Sequence, residues 1–160
     1  MKVKNRFWVM KNLPEGNNFQ NALEIREESE LKIPEGFFAT KNLFLSMDAG
    51  TRMYMTDRKD SYQPPIPIGE KLMGTVLGEI VESNHPDYRV GERLRSYGQW
   101  SDFSVVDPNL MYPSKVDDSE IDLVNYIGIY GANGWTAYTG VINTGKVKAG
   151  DTFVVSAAAG

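Results

Sequence analysis

Cysteine is absent from this sequence of 160 residues, and histidine occurs once, at His85. Without cysteine the chain can form no disulfide, use no thiolate nucleophile and build no zinc site with thiolate ligands. His85 lies in the turn-rich stretch SNHPDYRVGE, where we interpret it as a solvated loop residue rather than a ligand or a base. We therefore expect no bound metal. A chain without cysteine also suits a reducing compartment, and we expect a cytoplasmic protein.

Clustered basic residues and long apolar runs are missing as well. Lysine and arginine number 17 against 21 aspartates and glutamates, which gives a net charge of −4. A chain with this balance and no basic patch is not expected to bind nucleic acid. No apolar run approaches the roughly 20 residues of a membrane-spanning helix, so we expect no membrane partner either.

The sequence does contain a series of short strand patterns. Apolar and polar residues alternate, or apolar and aromatic residues cluster, in segments separated by turns that hold glycine or proline. Gly74 and Gly78, inside one of these segments, indicate a bulge or a close backbone approach. Residues 47–56 are predicted as a short helix or loop. Many short strands with turn signals between them predict a barrel or a sandwich. The predicted strands cover residues 5–11, 22–28, 37–46, 73–82, 93–97 and 102–106.

The hydrophobic period changes after about residue 118. Residues 121–130 and 135–142 carry helical spacing, and Asn133 is a candidate N-cap of the second helix. Residues 152–156 are a predicted apolar strand that opens into the small-residue turn Ala157-Ala158-Ala159-Gly160. A strand that opens into such a turn is typical of the start of a dinucleotide-binding βαβ unit.

Four segments resemble, in order, the medium-chain dehydrogenase/reductase superfamily. They are LFLSMDAGTRMYM (43–55), MGTVLGEIVES (73–83), YRVGERLRSYGQWSDFSVVD (88–107) and GANGWTAYTGVINTGKVKAGDTFVVSAAAG (131–160). Within the superfamily, the ordered set is most similar to the zinc-independent NADPH-dependent double-bond reductases, the group of the prostaglandin and curcumin reductases.

The resemblance implies a mainly β fold with a few helices. It places a GroES-like, partly open β-barrel, the catalytic domain, at residues 1–120. Residues 121–160 would supply connecting helices and the first strand of a Rossmann nucleotide-binding domain, of which the rest is absent. The family pattern is a longer two-domain enzyme with the cofactor in the cleft between the domains, and a homodimer is the expected assembly of the full-length protein.

The implied function is reduction of the carbon–carbon double bond of an α,β-unsaturated carbonyl compound by hydride transfer from NADPH. Such a reaction needs little from side chains, because the cofactor carries the hydride while the protein orients the substrate and polarises its carbonyl. The expected partner is a small enone or quinone, since a quinone reductase of the same superfamily is one alternative. A non-catalytic GroES-like β-barrel that serves as a binding or assembly module is another.

Two departures from the family pattern concern the expected cleft. The family often has Pro-Tyr-Met before the arginine that matches Arg52, whereas this chain has Ala49-Gly50-Thr51 and so lacks an aromatic wall. Zinc-dependent relatives carry a cysteine near Asp48 and a histidine near Gly74, and this chain has neither.

The resemblance also implies which residues form the site. No catalytic residue and no metal ligand is assigned. The implied cofactor-binding residues are Ala132, Asn133, Thr136, Ala159 and Gly160, and the implied substrate-binding residues are Met47, Arg52, Tyr97 and Trp100.

Several of these residues have a structural alternative that the sequence leaves open. Arg52 could form an ion pair with Asp48 or Asp57 instead of holding a substrate oxygen. The Thr136 hydroxyl could bond to its own backbone. Tyr97 and Trp100 could be packing residues at the barrel edge instead of lining the cleft. Tyr130, Trp135 and Tyr138 are interpreted as core residues of the connecting helices rather than cofactor contacts.

Overall fold

The computed structural model of the protein describes residues 1–60, 64–117 and 120–156. Its helices are α1 (Ala49–Tyr54) and α2 (Ala132–Tyr138), with a 3-10 turn at Leu123–Tyr126 and a π-helical turn at Thr139–Thr144. The prediction of a mainly β fold with a few helices is confirmed. The strands are β1 (Lys2–Met10), β2 (Leu23–Glu30), β3 (Phe38–Leu45), β4 (Met73–Ser83), β5 (Arg93–Gln99), β6 (Phe103–Val106) and β7 (Ser114–Lys115).

Two antiparallel sheets form the body of the fold. β1 pairs with β2, and the other five strands follow the order β6-β3-β4-β5-β7. Backbone hydrogen bonds join the sheets, because Trp8 N–H donates to the Trp100 carbonyl at 2.9 Å and Leu72 N–H donates to the Trp8 carbonyl at 2.9 Å. Within the described residues the strands do not close into a continuous barrel, which agrees with the expected partly open form.

Apolar side chains from both sheets fill the interior. Along β5 the buried residues Leu94, Ser96 and Gly98 alternate with more exposed ones, as expected for a strand with one face towards the core. The opposite face of β5 carries Arg95, Tyr97 and Gln99, and it therefore remains free to line a cleft. The two core clusters consist of Met10, Met55, Leu72 and Trp100, and of Phe38, Ile80, Leu94 and Val106.

Both glycines of β4 lie where another part of the chain comes close, as predicted. A Cβ at Gly78 would lie 2.9 Å from the Lys41 carbonyl oxygen, beside a shift in the β3–β4 register. A Cβ at Gly74 would lie 2.7 Å from Nε1 of Trp100. A larger residue at either position would have to move its neighbour, so these glycines set how closely β3 and the indole ring approach β4.

The helical predictions beyond β7 need correction. Of residues 121–130 only Leu123–Tyr126 is helical, as a single 3-10 turn, and the chain then continues in tight turns through Gly128. Glycine stabilises a helix poorly because it loses the most backbone freedom on folding. α2 begins at Ala132 rather than at residue 135, and Gly131 precedes it in an extended conformation. Asn133 therefore lies inside the first turn and is not the N-cap.

The predicted strand over residues 152–156 is absent. Phe153, Val154 and Val155 are 53%, 82% and 59% exposed, and no strand among the described residues pairs with them. An apolar run does not form a strand by itself, because its N–H and C=O groups need a neighbouring strand to bond with. The small-residue turn that follows, with Ala159 and Gly160, lies outside the described residues.

The aromatic residues of the helical region are also more exposed than predicted. Tyr130, Trp135 and Tyr138 are 54%, 67% and 58% exposed. Their interpretation as core residues of the connecting helices is therefore wrong for this chain. No helix within the described residues is long and apolar enough to cross a membrane.

Candidate functional site

Two neighbouring cavities open between β5, α1 and the start of α2. The first, which we call the α1 cavity, has a volume of about 820 Å³ and is lined by Met47, Arg52, Trp100 and Asn133 among others. The second, the β5 cavity, has a volume of about 430 Å³ and is lined by Tyr97, Ala132 and Asn133 among others. Asp48 and Asn133 line both, so the two cavities are parts of one cleft.

The cleft brings together six of the nine residues that the resemblance implies. All four predicted substrate-binding residues line it, together with Ala132 and Asn133. Thr136 lines neither cavity, and Ala159 and Gly160 lie outside the described residues. Residues that are far apart in the sequence thus meet because the end of β3 and the end of β5 lie on either side of the start of β4.

Arg52 connects α1 to the loop between β1 and β2. Its guanidinium donates to the Met55 carbonyl at 2.9 Å and to the Gly16 carbonyl at 3.1 Å, and it lies 5.9 Å from the centre of the Phe19 ring. Arg52 makes no ion pair with Asp48 or Asp57 in the described structure, so that alternative is wrong. Phe19 also lines the α1 cavity, which means that Arg52 holds one wall of the cavity in place.

Trp100 combines a core position with a place in the cavity wall. It is 7% exposed and packs against Met10, Met55 and Leu72, while its ring also borders the α1 cavity. Its Nε1 has no hydrogen-bond partner within the described residues. The indole occupies the space that a side chain at position 74 would need, so Gly74 is what allows this wall to form.

Tyr97 stands on the outward face of β5, above the β5 cavity. Its side chain is 43% exposed, and the burial of the remainder raises the pKa of the phenol above its ordinary value because the charged phenolate is less well solvated there. The hydroxyl therefore stays protonated at neutral pH and can donate a hydrogen bond. The predicted packing at the barrel edge applies only to the backbone of Tyr97, whose N–H donates to the Met111 carbonyl at 2.9 Å.

The start of α2 contributes the other side of the cleft. Ala132 and Asn133 are exposed there, and Asn133 lies between the two cavities. The Thr136 hydroxyl donates to the Ala132 carbonyl at 2.8 Å, which is the local backbone bond considered as its alternative. Arg95, on the outward face of β5, donates to the Tyr130 carbonyl at 3.3 Å and so ties the turn before α2 to the sheet.

Asp48, Arg95 and Tyr112 are among the cleft residues that were not predicted from the sequence. Asp48 borders both cavities and accepts a hydrogen bond from the Ser46 hydroxyl at 2.9 Å. Arg95 and Tyr112 line the β5 cavity. The alternation of side chains along a strand predicts that Arg95 lies on the same face as Tyr97. No sequence signal indicates where Tyr112 lies. Among the described residues, no group of three or more histidine, aspartate or glutamate side chains is arranged to hold a metal ion.

Comparison with known proteins identifies what the chain is similar to. Residues 6–113 match the family described as the N-terminal domain of oxidoreductase. The chain is 33% identical over 159 residues to an NADPH-dependent curcumin reductase of Escherichia coli (strain K12), covering 99% of this chain and 45% of the relative. It is 32% identical over 162 residues to an NADP(+)-dependent 2-alkenal reductase of Nicotiana tabacum, covering 99% of this chain and 47% of the relative. The chain thus spans about half the length of these curated relatives.

Solved structures show the same fold. CurA from Vibrio vulnificus in complex with NADPH matches with a TM-score of 0.84 and 28% identity, over 97% of this chain and 45% of that one. A putative NADPH:quinone reductase from Bacillus thuringiensis matches with a TM-score of 0.64 and 14% identity, over 91% of this chain and 43% of that one. The second likeness concerns the fold alone.

Proposed function

Because the chain belongs to the family of oxidoreductase N-terminal domains, within the double-bond reductase group of the medium-chain dehydrogenases/reductases, we propose that the whole protein is an NADP-dependent enone reductase. It reduces the carbon–carbon double bond of an α,β-unsaturated carbonyl compound and leaves the carbonyl in place. The observation that carries the proposal is the single cleft, around which six of the implied site residues lie.

The residues at the start of α2 fit one end of the cofactor. Ala132 is small and exposed, so it leaves room for a planar ring. The exposed Asn133 lines both cavities and can offer that ring polar contacts through its carboxamide. NADPH would supply a hydride here. Thr136 holds its hydroxyl hydrogen in the local backbone bond, which leaves the oxygen able to accept. Ala159 and Gly160 would face the pyrophosphate through their backbone.

The substrate side is formed by the α1 cavity and Tyr97. Met47 and Trp100 supply apolar surface that excludes water from the reacting double bond. Arg52 holds the wall that carries Phe19, and so acts here through position. Negative charge develops on the substrate oxygen when a hydride adds to the β-carbon, and a protonated phenol such as Tyr97 can stabilise it by donating a hydrogen bond.

The proposal extends to the organisation of the whole protein. Residues 1–120 are the catalytic domain, and residues 121–160 connect it to a nucleotide-binding domain and begin that domain. The full-length enzyme is a metal-free, cytoplasmic homodimer. In the part of the enzyme that this chain represents, the absence of cysteine and the single histidine support the metal-free state, because structural and catalytic zinc sites draw mainly on those two residue types.

The test is a substrate and cofactor screen with the full-length protein. We expect loss of NADPH absorbance with alkenals and enones, and a product that mass spectrometry and NMR identify as the saturated carbonyl compound. NADH should be used less well. Reduction of quinones alone would support the quinone reductase instead, and reduction of the carbonyl would contradict the proposed chemistry. Absence of turnover with all of these compounds would favour the non-catalytic binding or assembly module.

A further inference from the structure

The turn between β5 and β6 places the Trp100 indole in the wall of the α1 cavity. Ser101 N–H donates to the Gln99 carbonyl at 2.9 Å, which makes a three-residue turn with Trp100 in the middle. The backbone of Trp100 is itself paired, since its N–H donates to the Leu72 carbonyl at 2.8 Å. The indole has no such anchor, because its Nε1 has no hydrogen-bond partner within the described residues. The position of the ring therefore depends on core packing and on the backbone of this turn.

The Asn42 carboxamide, on β3, bridges the two ends of the turn. Its Nδ2 donates to the Ser101 carbonyl at 2.9 Å and to the Gln99 carbonyl at 3.2 Å, and it also lies 2.9 Å from Ser104 Oγ. A carbonyl oxygen can only accept, so the amide nitrogen rather than the amide oxygen must face the turn. The amide oxygen accepts from Thr40 Oγ1 at 3.1 Å on its other side. A buried network of this kind favours one arrangement of its members.

The position of Asn42 in the chain links the turn to the opposite side of the cavity. Asparagine is disfavoured in strands, and Asn42 lies at an irregularity of the β3–β4 register, so local structure does not explain it. Its N–H donates to the Asp102 carbonyl at 2.9 Å, which adds a backbone bond to the side-chain bridge. β3 leads directly to Met47 and α1, which form other walls of the α1 cavity. Asn42 therefore connects two walls of this cavity, although it lines neither the α1 cavity nor the β5 cavity.

We propose that Asn42 is a positioning residue of the reductase, which acts through Trp100 by holding the indole at a fixed distance from the opposite wall of the α1 cavity. The inference rests on the proposed function, because the wall orients a substrate only if the reacting double bond lies beside it. An indole that can shift admits more than one pose of the substrate, and a displacement of about 1 Å can cost a hundredfold in rate. Asn42 itself touches neither the substrate nor the cofactor.

The experiment compares three variants of the full-length enzyme. Asn42→Ala removes the bridge, whereas Asn42→Asp keeps its shape but replaces the donor by a carboxylate oxygen that faces two carbonyls. Asn84→Ala is the matched control. The Asn84 carboxamide also donates to two backbone carbonyls, those of Ile33 at 2.8 Å and Pro34 at 3.5 Å, but these residues line neither cavity.

We expect both Asn42 variants to lower kcat/KM for pentyl vinyl ketone by about five- to a hundredfold, with KM for NADPH unchanged. Asn84→Ala should change neither quantity. Fluorine NMR of enzyme labelled with fluorotryptophan reports on the indole directly, because the Trp100 line is the one that Trp100→Phe removes. This line should shift or split in both Asn42 variants and keep its position in Asn84→Ala. Thermal unfolding identifies a variant that does not fold, and Asn42→Ser, which keeps one donor, then takes its place with a smaller expected loss.

Three outcomes overturn the proposal. They are wild-type enone kinetics in the Asn42 variants, a rise in KM for NADPH as large as the loss for the enone, and a Trp100 line that these variants leave unchanged. If the wild-type enzyme reduces no enone, the proposed function fails separately. The fluorine spectrum then still tests Asn42, since it requires no turnover, and an unchanged Trp100 line refutes the positioning of the indole by this residue.

Discussion

Replacing Gly74 by alanine tests whether the Trp100 wall of the α1 cavity depends on a glycine. The new Cβ would lie 2.7 Å from Nε1 and 3.5 Å from Cδ1 of Trp100, and 3.4 Å from the Ser46 carbonyl oxygen. The indole would have to move, but it is only 7% exposed and is confined by the core. Added volume in a tightly packed core costs about 1–3 kcal/mol, and we expect Gly74→Ala to lower the free energy of unfolding by that amount.

Urea unfolding of the 160-residue chain, followed by circular dichroism, measures this loss. Gly50→Ala is the matched control, because a Cβ there meets no heavy atom within 4 Å, and in α1 it should be neutral or stabilise by up to about 1 kcal/mol. Trp100→Phe in the Gly74→Ala background removes Nε1 and should recover part of the loss, with a coupling energy of about 0.5–3 kcal/mol. A Gly74→Ala chain as stable as wild type, or strictly additive effects in the double variant, would refute the reasoning.

Three further predictions concern the cleft, the sheet contact and the metal. Arg52→Ala in the full-length enzyme removes the bonds that hold the Phe19 wall, and a displaced wall should reduce kcat/KM for enones by up to about a hundredfold without changing KM for NADPH. Unchanged enone kinetics would leave Arg52 without a role in the cleft. The Arg6 guanidinium donates a hydrogen bond to Asp102 and lowers the pKa of that carboxyl. The free energy of unfolding of wild type should therefore exceed that of Asp102→Asn above pH 3.8, and the difference should disappear as pH falls through the lowered pKa. A difference that does not depend on pH would contradict this. Elemental analysis of untagged full-length protein should find less than stoichiometric zinc, and one zinc per chain would refute the metal-free state.

The strands could be predicted from the sequence because each one carries its own signal. β3, β4 and β5 have alternating or apolar segments bounded by turn residues, and their observed bounds differ from the predicted ones by at most a few residues. The close approaches at Gly74 and Gly78 were predictable for the same reason, since a glycine inside a strand pattern indicates that something else occupies the space. The local sequence pattern was thus sufficient to predict those strands that pair with another strand of this chain.

Tyr112 shows why part of the site could not be predicted. It precedes Pro113, and a residue before proline is ordinarily pushed towards an extended conformation, so the sequence favours a negative φ. The observed φ of 47° results from tertiary contacts around Met111, which no local pattern encodes. The partners of Arg52 could not be predicted for a similar reason, because the Gly16 carbonyl is distant in sequence whereas Asp48 and Asp57 are near.

The start of α2 is positioned by polar contacts rather than by apolar packing. Tyr130 and Trp135 on either side of it are mostly exposed, so they supply little hydrophobic anchoring within the described chain. Arg95 instead donates from β5 to the Tyr130 carbonyl at 3.3 Å and to the Tyr126 carbonyl at 3.5 Å. The buried Gly131 then turns the chain where a Cβ would lie 3.1 Å from the Tyr126 carbonyl oxygen. The sheet that carries Tyr97 therefore also positions Ala132 and Asn133, because the same face of β5 carries both Arg95 and Tyr97.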